Sequence, residues 1–285
     1  YKLHKICGRS YDVLRRMFTD HAGRISWPSE FVPADLIAIF FVQKFDDEKE
    51  GDREILSVLS GKEYADYKAG LKKWTLVTGS PVSQEANQWQ VVSPFDLLYI
   101  VGKYLTEEHL RSFESAFMQV LSAYNPALDL EPHMRIAANL LGKRDRYSNW
   151  LKEGLPQTLA LLSAFGEDSG INTSIELHSW INQIVRQLLG THELRFWQSV
   201  ESKIHLLAEA APQVFLEKME TLVQQHPSLV SELFNDQEVG LWSRPYHTRI
   251  LWALEILAWD VALLPRVTLL IGRIIQLDKG TAYGN

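Results

Sequence analysis

The chain holds 285 residues, 46% of them hydrophobic and 22% charged: enough for one large or two ordinary cores, and too apolar for a disordered protein. A net charge of −6 argues against a protein that coats nucleic acid, although a local basic patch stays compatible with it. No apolar run reaches the roughly 18–20 residues of a membrane span, no basic-then-apolar leader opens the chain, and the single Cys7 excludes an internal disulfide.

Gly8-Arg9-Ser10 breaks the first segment, and Ser10 is placed to cap a helix with Tyr11, Val13, Leu14, Met17 and Phe18 on its apolar side. Trp27-Pro28 marks an extended connector. Pro33 then opens a helix in which Leu36, Ile37, Ile39, Phe40 and Phe41 make nearly every face apolar, which predicts a buried helix. An acidic link across residues 46–51 follows. Asp52 is a candidate cap for the next helix, with Ile55, Leu56 and Leu59 inside and Gly61 closing it. A further helix over 63–74 carries Tyr64, Tyr67, Leu71 and Trp74 at spacings of three and four. Pro81-Val82-Ser83, a polar link and Trp89 to Val92 read as a hairpin. Three helices and a hairpin are the order of a winged-helix domain, placed at residues 30–93.

Ser93-Pro94 ends the last strand and starts a helix, with Ser93 as N-cap and Asp96 near the positive helix end. Beyond it the pattern is helix, short polar break, helix, with strands expected only across about 78–92. Thr106 caps residues 107–124, with Leu110, Phe113, Phe117 and Leu121 on one face. A helix is expected over 130–141. Ser148 caps the next one, where Gly154 and Pro156 predict a kink or a restart. Helices over 174–189 and 193–210 follow, then one from Pro212 to a break at His226-Pro227. Two strong helices close the chain, with Ile250, Leu254 and Leu257 inside the first and Val267, Leu270, Ile271 and Ile274 inside the second. The fold class expected is therefore mainly α: a winged-helix-like domain with one β-hairpin, then an irregular HEAT/TPR-like α-solenoid over 94–285.

Chemistry is sparse. Phosphate-binding loops, zinc spacings and nucleophile elbows are all missing from the sequence. His178 falls on an apolar stripe and reads as a hydrogen-bonded core residue, not a ligand. Asp46-Asp47-Glu48 reads as a solvated loop, and Glu107-Glu108 as first-turn helix charge. The 63–74 helix carries Lys62, Lys68, Lys72 and Lys73, but Glu63 and Asp66 offset them and its aromatics look like packing, so a protein spacer is preferred to a DNA reader. No catalytic or metal residue is expected.

Several segments together resemble the region after the ATPase core of large bacterial STAND-type NTPases, antiphage-defence proteins among them. They are Cys7-Gly8-Arg9-Ser10 with Val13-Leu14-Arg15-Arg16; Asp52-Arg53-Glu54-Ile55-Leu56; and Trp89 with Val91-Val92-Ser93-Pro94. Pro126-Ala127-Leu128-Asp129-Leu130, Leu206-Leu207-Ala208-Glu209-Ala210-Ala211-Pro212 and Leu251-Trp252-Ala253-Leu254-Glu255 complete the set. The resemblance implies that residues 1–29 end an ATPase lid, with Gly8, Arg9 and Ser10 near nucleotide; on the residues alone these three are a loop and a helix cap. It implies ATP and Mg²⁺ in the parent chain and none in this segment. It also implies a non-enzymatic sensor segment that couples nucleotide state to a protein ligand such as a phage protein, in a cytoplasmic setting. A winged-helix transcription regulator on DNA is the rival reading, and an enzyme with a dispersed site a third. Tyr1 at the start, and a strong helix just before Asn285, lead us to expect a piece of a longer polypeptide. The same edge leaves Trp252, Trp259, Leu269 and Ile275 off the main stripes, which predicts self-association there.

Overall fold

The computed structural model describes residues 31–234 and 246–277, so the expected helix over 11–18 and the candidate residues Gly8, Arg9 and Ser10 lie outside the described residues. The chain is mainly α-helical with one small antiparallel sheet. It divides into two compact units, Tyr1–Phe117 with Arg146–Trp180, and Met118–Asp145 with Ile181–Asn285.

In the first unit, Pro33–Leu36 forms a 3-10 turn leading into α1 (Ile37–Val42), every residue of which is buried. A helix buried all round cannot turn its last carbonyls to water, so they must find donors inside. Thr158 Oγ1 donates to the carbonyls of Phe40 and Phe41 at 3.1 and 2.8 Å, and Gln43 Nε2 donates to Phe40 at 2.8 Å. Gln43 holds φ at 59°, a conformation that strains a residue with a Cβ. Its N–H bonds the Ile39 carbonyl and its own carbonyl accepts from Val91, both at 2.8 Å, and these two bonds fix it there.

That corner sends the chain into β1 (Lys44–Asp46), where an acidic link was expected from residue 46 and no strand before about 78. β1 and β2 (Val82–Glu85) flank β3 (Gln88–Val91), both antiparallel to it, in the order β1-β3-β2. Three residues are too few to show a period of two, and the pairing comes from a partner far along the chain. Phe45 lies directly opposite Trp89, both side chains fully buried and the rings parallel at 6.1 Å. The expected hairpin is present, closed at Ala86 and Asn87 with Ala86 at φ 52°.

Between β1 and the hairpin lie α2 (Glu50–Ser60) and α3 (Tyr64–Trp74). α2 buries Ile55, Leu56 and Leu59 and ends at Gly61 in the left-handed region, as expected. Asp52 is not its cap. It sits inside the first turn, fully buried, and accepts from Asp46 N at 2.9 Å, from Ser148 N at 2.9 Å and from the Ser148 hydroxyl. α3 buries Tyr67, Leu71 and Trp74. Ser93 caps α4 (Pro94–Val101), accepting from Asp96 N at 3.2 Å. Thr106 caps α5 (Glu107–Leu121), accepting from His109 N at 3.3 Å.

Ser148 likewise caps α6 (Asn149–Phe165), accepting from Leu151 N at 3.0 Å. α6 runs as one helix through Pro156, with no restart. Leu151, Leu155, Leu159 and Leu162 form one buried stripe along it, and their burial outweighs the roughly 3 kcal/mol of a mid-helix proline. Gly154 lets α6 lie on the end of α1: a Cβ at that position would stand 1.9 Å from the Val42 carbonyl oxygen. α7 (Leu177–Leu188) turns His178 outward, against the expected core position, with its imidazole 3.6 Å from Glu167. The inner face of α7 is Leu177, Trp180, Ile181, Ile184, Val185 and Leu188, with Leu177 in the place expected of His178.

In the second unit a 3-10 turn, Pro126–Asp129, is followed by another, Pro132–Ala137, where a helix was expected over 130–141. Pro132 forces Glu131 into an extended conformation, and Asn125 caps the first turn by accepting from Ala127 N at 3.0 Å. The Asp129 carboxylate then binds Lys143 at 2.9 Å and Arg195 at 2.7 Å. The helix expected over 193–210 is α8 (Leu194–Val200) and α9 (Ile204–Ala210) with a 3-10 turn between, and Trp197, Val200, Ile204 and Leu207 are buried as expected. α10 (Pro212–Gln225) and α11 (Pro227–Phe234) meet at the predicted break. α12 (Tyr246–Ala258) and α13 (Leu264–Leu277) close the described chain. Among the described residues every strand precedes Ser93.

Two outcomes follow for the first unit. Gly154→Ala and Asp52→Ala each lower stability in urea denaturation, by about 3 kcal/mol or more for the clash and about 2–4 kcal/mol for the stranded donors. Burial pushes the Asp52 carboxyl above its usual 3.8, against the hydrogen bonds from Asp46 and Ser148 that pull it down. The folded state therefore holds that proton more tightly than the unfolded chain. Its contribution is full below pH 3.8 and is lost as pH rises through the raised folded value, so the stability of the wild type relative to Asp52→Asn falls over that window.

Candidate functional site

The polar side chains of the first unit are spent mainly on one another. Asp47, at the end of β1, accepts from the Tyr64 hydroxyl and from Lys68 Nζ, both on α3. Burial, and then the Asp47 carboxylate, push the Tyr64 phenol up. Asp46 Oδ1 accepts from Glu48 N at 3.0 Å, and Glu48 Oε1 accepts from Asn87 Nδ2 in the hairpin turn at 2.6 Å. The acidic run read as a solvated loop is thus three separate anchors: one to its own turn, one to α3 and one to the hairpin. Lys62 pairs with Asp35 at 2.8 Å. Of the four lysines in and beside α3, two are therefore held by aspartates of the same unit, while Lys72 and Lys73 are exposed.

The open ground lies around Val58, an exposed apolar residue on the outer side of α2. Two shallow open grooves meet there. One is bordered by Glu107, Arg111, Ser112 and Ser115, the other by Glu50, Arg53, Ser57 and Tyr64. Glu107 pairs with Arg111 along α5 and accepts from Ser174 Oγ at 2.8 Å, and these two partners hold its carboxyl below the usual range. Both signs of charge thus ring one apolar point. That arrangement suits a protein surface and gives a phosphate backbone no continuous basic track.

Among the described residues no three His, Cys, Asp or Glu side chains are grouped to hold a metal ion. Also among the described residues, no helix is long and apolar enough to cross a membrane. Gly8, Arg9 and Ser10 lie outside the described residues, so their placement near nucleotide stays an implication of resemblance. The sequence missed the Trp180–Glu114 bond, where the buried indole Nε1 donates at 2.8 Å. Phe113 on α5 also lies against Trp180, ring centroids 6.2 Å apart and tilted; the bond joins residues 66 positions apart, and spacing along the chain carries no signal for it.

Asp47→Ala releases Lys68 and Tyr64 together, and should cost about 1–2 kcal/mol in thermal or urea unfolding, with Lys68→Met recovering part of the loss. No family model, no curated protein and no solved structure matches this chain.

Proposed function

We propose that the chain is a non-catalytic regulatory and sensor segment of a cytoplasmic bacterial signalling or antiphage-defence NTPase of the STAND type. In this reading a winged-helix module relays nucleotide state to a HEAT/TPR-like helical array, and the array recognises a protein ligand such as a phage protein. ATP and Mg²⁺ belong to the parent chain. The observation that carries the reading is the order α1-β1-α2-α3-β2-β3 with the sheet order β1-β3-β2, which a winged-helix module would require. Two further features favour a spacer role over a DNA reader: Lys62 and Lys68 are tied to Asp35 and Asp47, and mixed charge surrounds Val58. Ligand recognition switches such a protein only if the ligand makes different contacts in its two states.

The runner-up, a winged-helix transcription regulator, draws on the exposed Lys72 and Lys73 of α3. Calorimetry and gel shift separate the readings. The chain should take up no ATP at micromolar concentrations, and should not retard duplex DNA at about 50 mM salt. ATP binding that ADP competes and Arg9→Ala abolishes would overturn the division between segment and parent. A salt-sensitive DNA shift lost in Lys72→Glu/Lys73→Glu would establish the regulator instead.

A further inference from the structure

The register of the sheet assigns which backbone groups face outward on its two edges. Val92 N donates to the Pro81 carbonyl at 2.9 Å, so residues 81, 83 and 85 turn their N–H and C=O groups toward β3, and Val82 and Gln84 turn theirs away. Val91 N donates to the Gln43 carbonyl and Asp47 N to the Asn87 carbonyl, so residues 43, 45 and 47 face β3, and Lys44 and Asp46 face away. Outward groups on an edge strand are a template on which another chain can add a strand.

On this sheet the outward groups are closed from within. Ser80 Oγ accepts from Val82 N at 3.2 Å and donates to the Val82 carbonyl at 2.5 Å. One hydroxyl thus makes both of the bonds that an antiparallel neighbour would exchange with Val82. Pro81, between the two residues, has a fixed φ, which limits how far the hydroxyl can withdraw. β1 is closed in the same way by different groups: Asp46 N donates to Asp52 Oδ2 at 2.9 Å, and the Asp46 carbonyl accepts from Lys49 N at 3.1 Å. α6 packs along β1 besides, with Lys44 Nζ 3.0 Å from Glu153. An incoming strand is left with Gln84, exposed on β2 beside the exposed Glu85.

We infer that Ser80 is an edge guard: its hydroxyl takes the place of a partner strand at Val82 and keeps β2 from pairing with the β2 of a second copy. That pairing is the one the sheet would otherwise invite. An antiparallel match of two β2 strands about Ser83 sets Val82 of each copy opposite Gln84 of the other, and continues the sheet across a two-fold axis. Each bond of that match joins a Val82 group to a Gln84 group, so a hydroxyl that occupies both Val82 groups removes all of them. The guard acts at no cost in buried polar groups, because Ser80 uses one oxygen as donor and acceptor to the same residue.

Hydrogen exchange and sedimentation velocity of the 285-residue chain test the inference. In the wild type the Val82 amide should be protected about tenfold or more beyond that of Gln84, although both point away from β3. Ser80→Ala should erase that difference and, across about 1–100 µM, add a concentration-dependent association that the wild type lacks. Ser80→Thr keeps the hydroxyl and should behave as the wild type. Proline at an outward edge position removes a donor without touching the hairpin bonds, so Ser80→Ala/Gln84→Pro should sediment as the wild type does. A wild-type Val82 amide no better protected than that of Gln84 would overturn the inference. So would a Ser80→Ala chain that sediments as the wild type does, or one whose added association survives Gln84→Pro.

Discussion

The seating of α6 against the end of α1 is the contact on which the first unit depends. A helix as apolar as Ile37–Val42 is stable only when covered on every side, and covering it strands its C-terminal carbonyls away from water. α6 meets both demands with one face. Its leucine stripe supplies apolar surface, Thr158 supplies the donor for Phe40 and Phe41, and Gly154 leaves room for the Val42 carbonyl. At the start of the same helix, Ser148 links its own cap to the buried Asp52 and, through that carboxylate, to the backbone of Asp46. One residue therefore joins the first turn of α6, the first turn of α2 and the end of β1. Losing it would leave several buried donors or acceptors unmatched at once, the condition under which a polar group matters most to stability.

What could be read from the sequence follows from how local each signal is. Ser93, Thr106 and Ser148 cap the helices they precede, because a cap is decided within four residues. The hairpin over 82–91 and the burial of α1 were legible for the same reason. β1 was not, because three residues carry no period and their strand character comes from Gln88–Val91. Asp52 has the residue type of a cap, and only its distant partner Ser148 reveals its actual use. His178 was misplaced because it lies at the edge of the α7 stripe, where Leu177, 100° round the helix, takes the inner position and leaves the imidazole in solvent. Over 130–141, Pro132 holds Glu131 out of the helical conformation, and a 3-10 turn forms in place of the expected helix.

Of the candidate site, the sequence showed the absence of catalytic motifs and the lysine content of α3. It could not show that Asp35 and Asp47 hold two of those lysines, because ion pairs between elements have no signature in spacing. Lys62 and Lys68 are thus paired with Asp35 and Asp47 while Lys72 and Lys73 stay exposed, and the open grooves beside them mix both signs of charge around Val58.

The first unit should open as a single cooperative body, although its chain is interrupted between Phe117 and Arg146. Native-state hydrogen exchange on the 285-residue chain reads this out amide by amide. If α6 and α1 stand or fall together, the backbone amides of residues 40–43, 152–155 and 157–162 share one opening free energy, and Ser148→Ala lowers it equally in both elements. Two separate opening energies, with residues 40–43 unmoved by Ser148→Ala, would contradict the account.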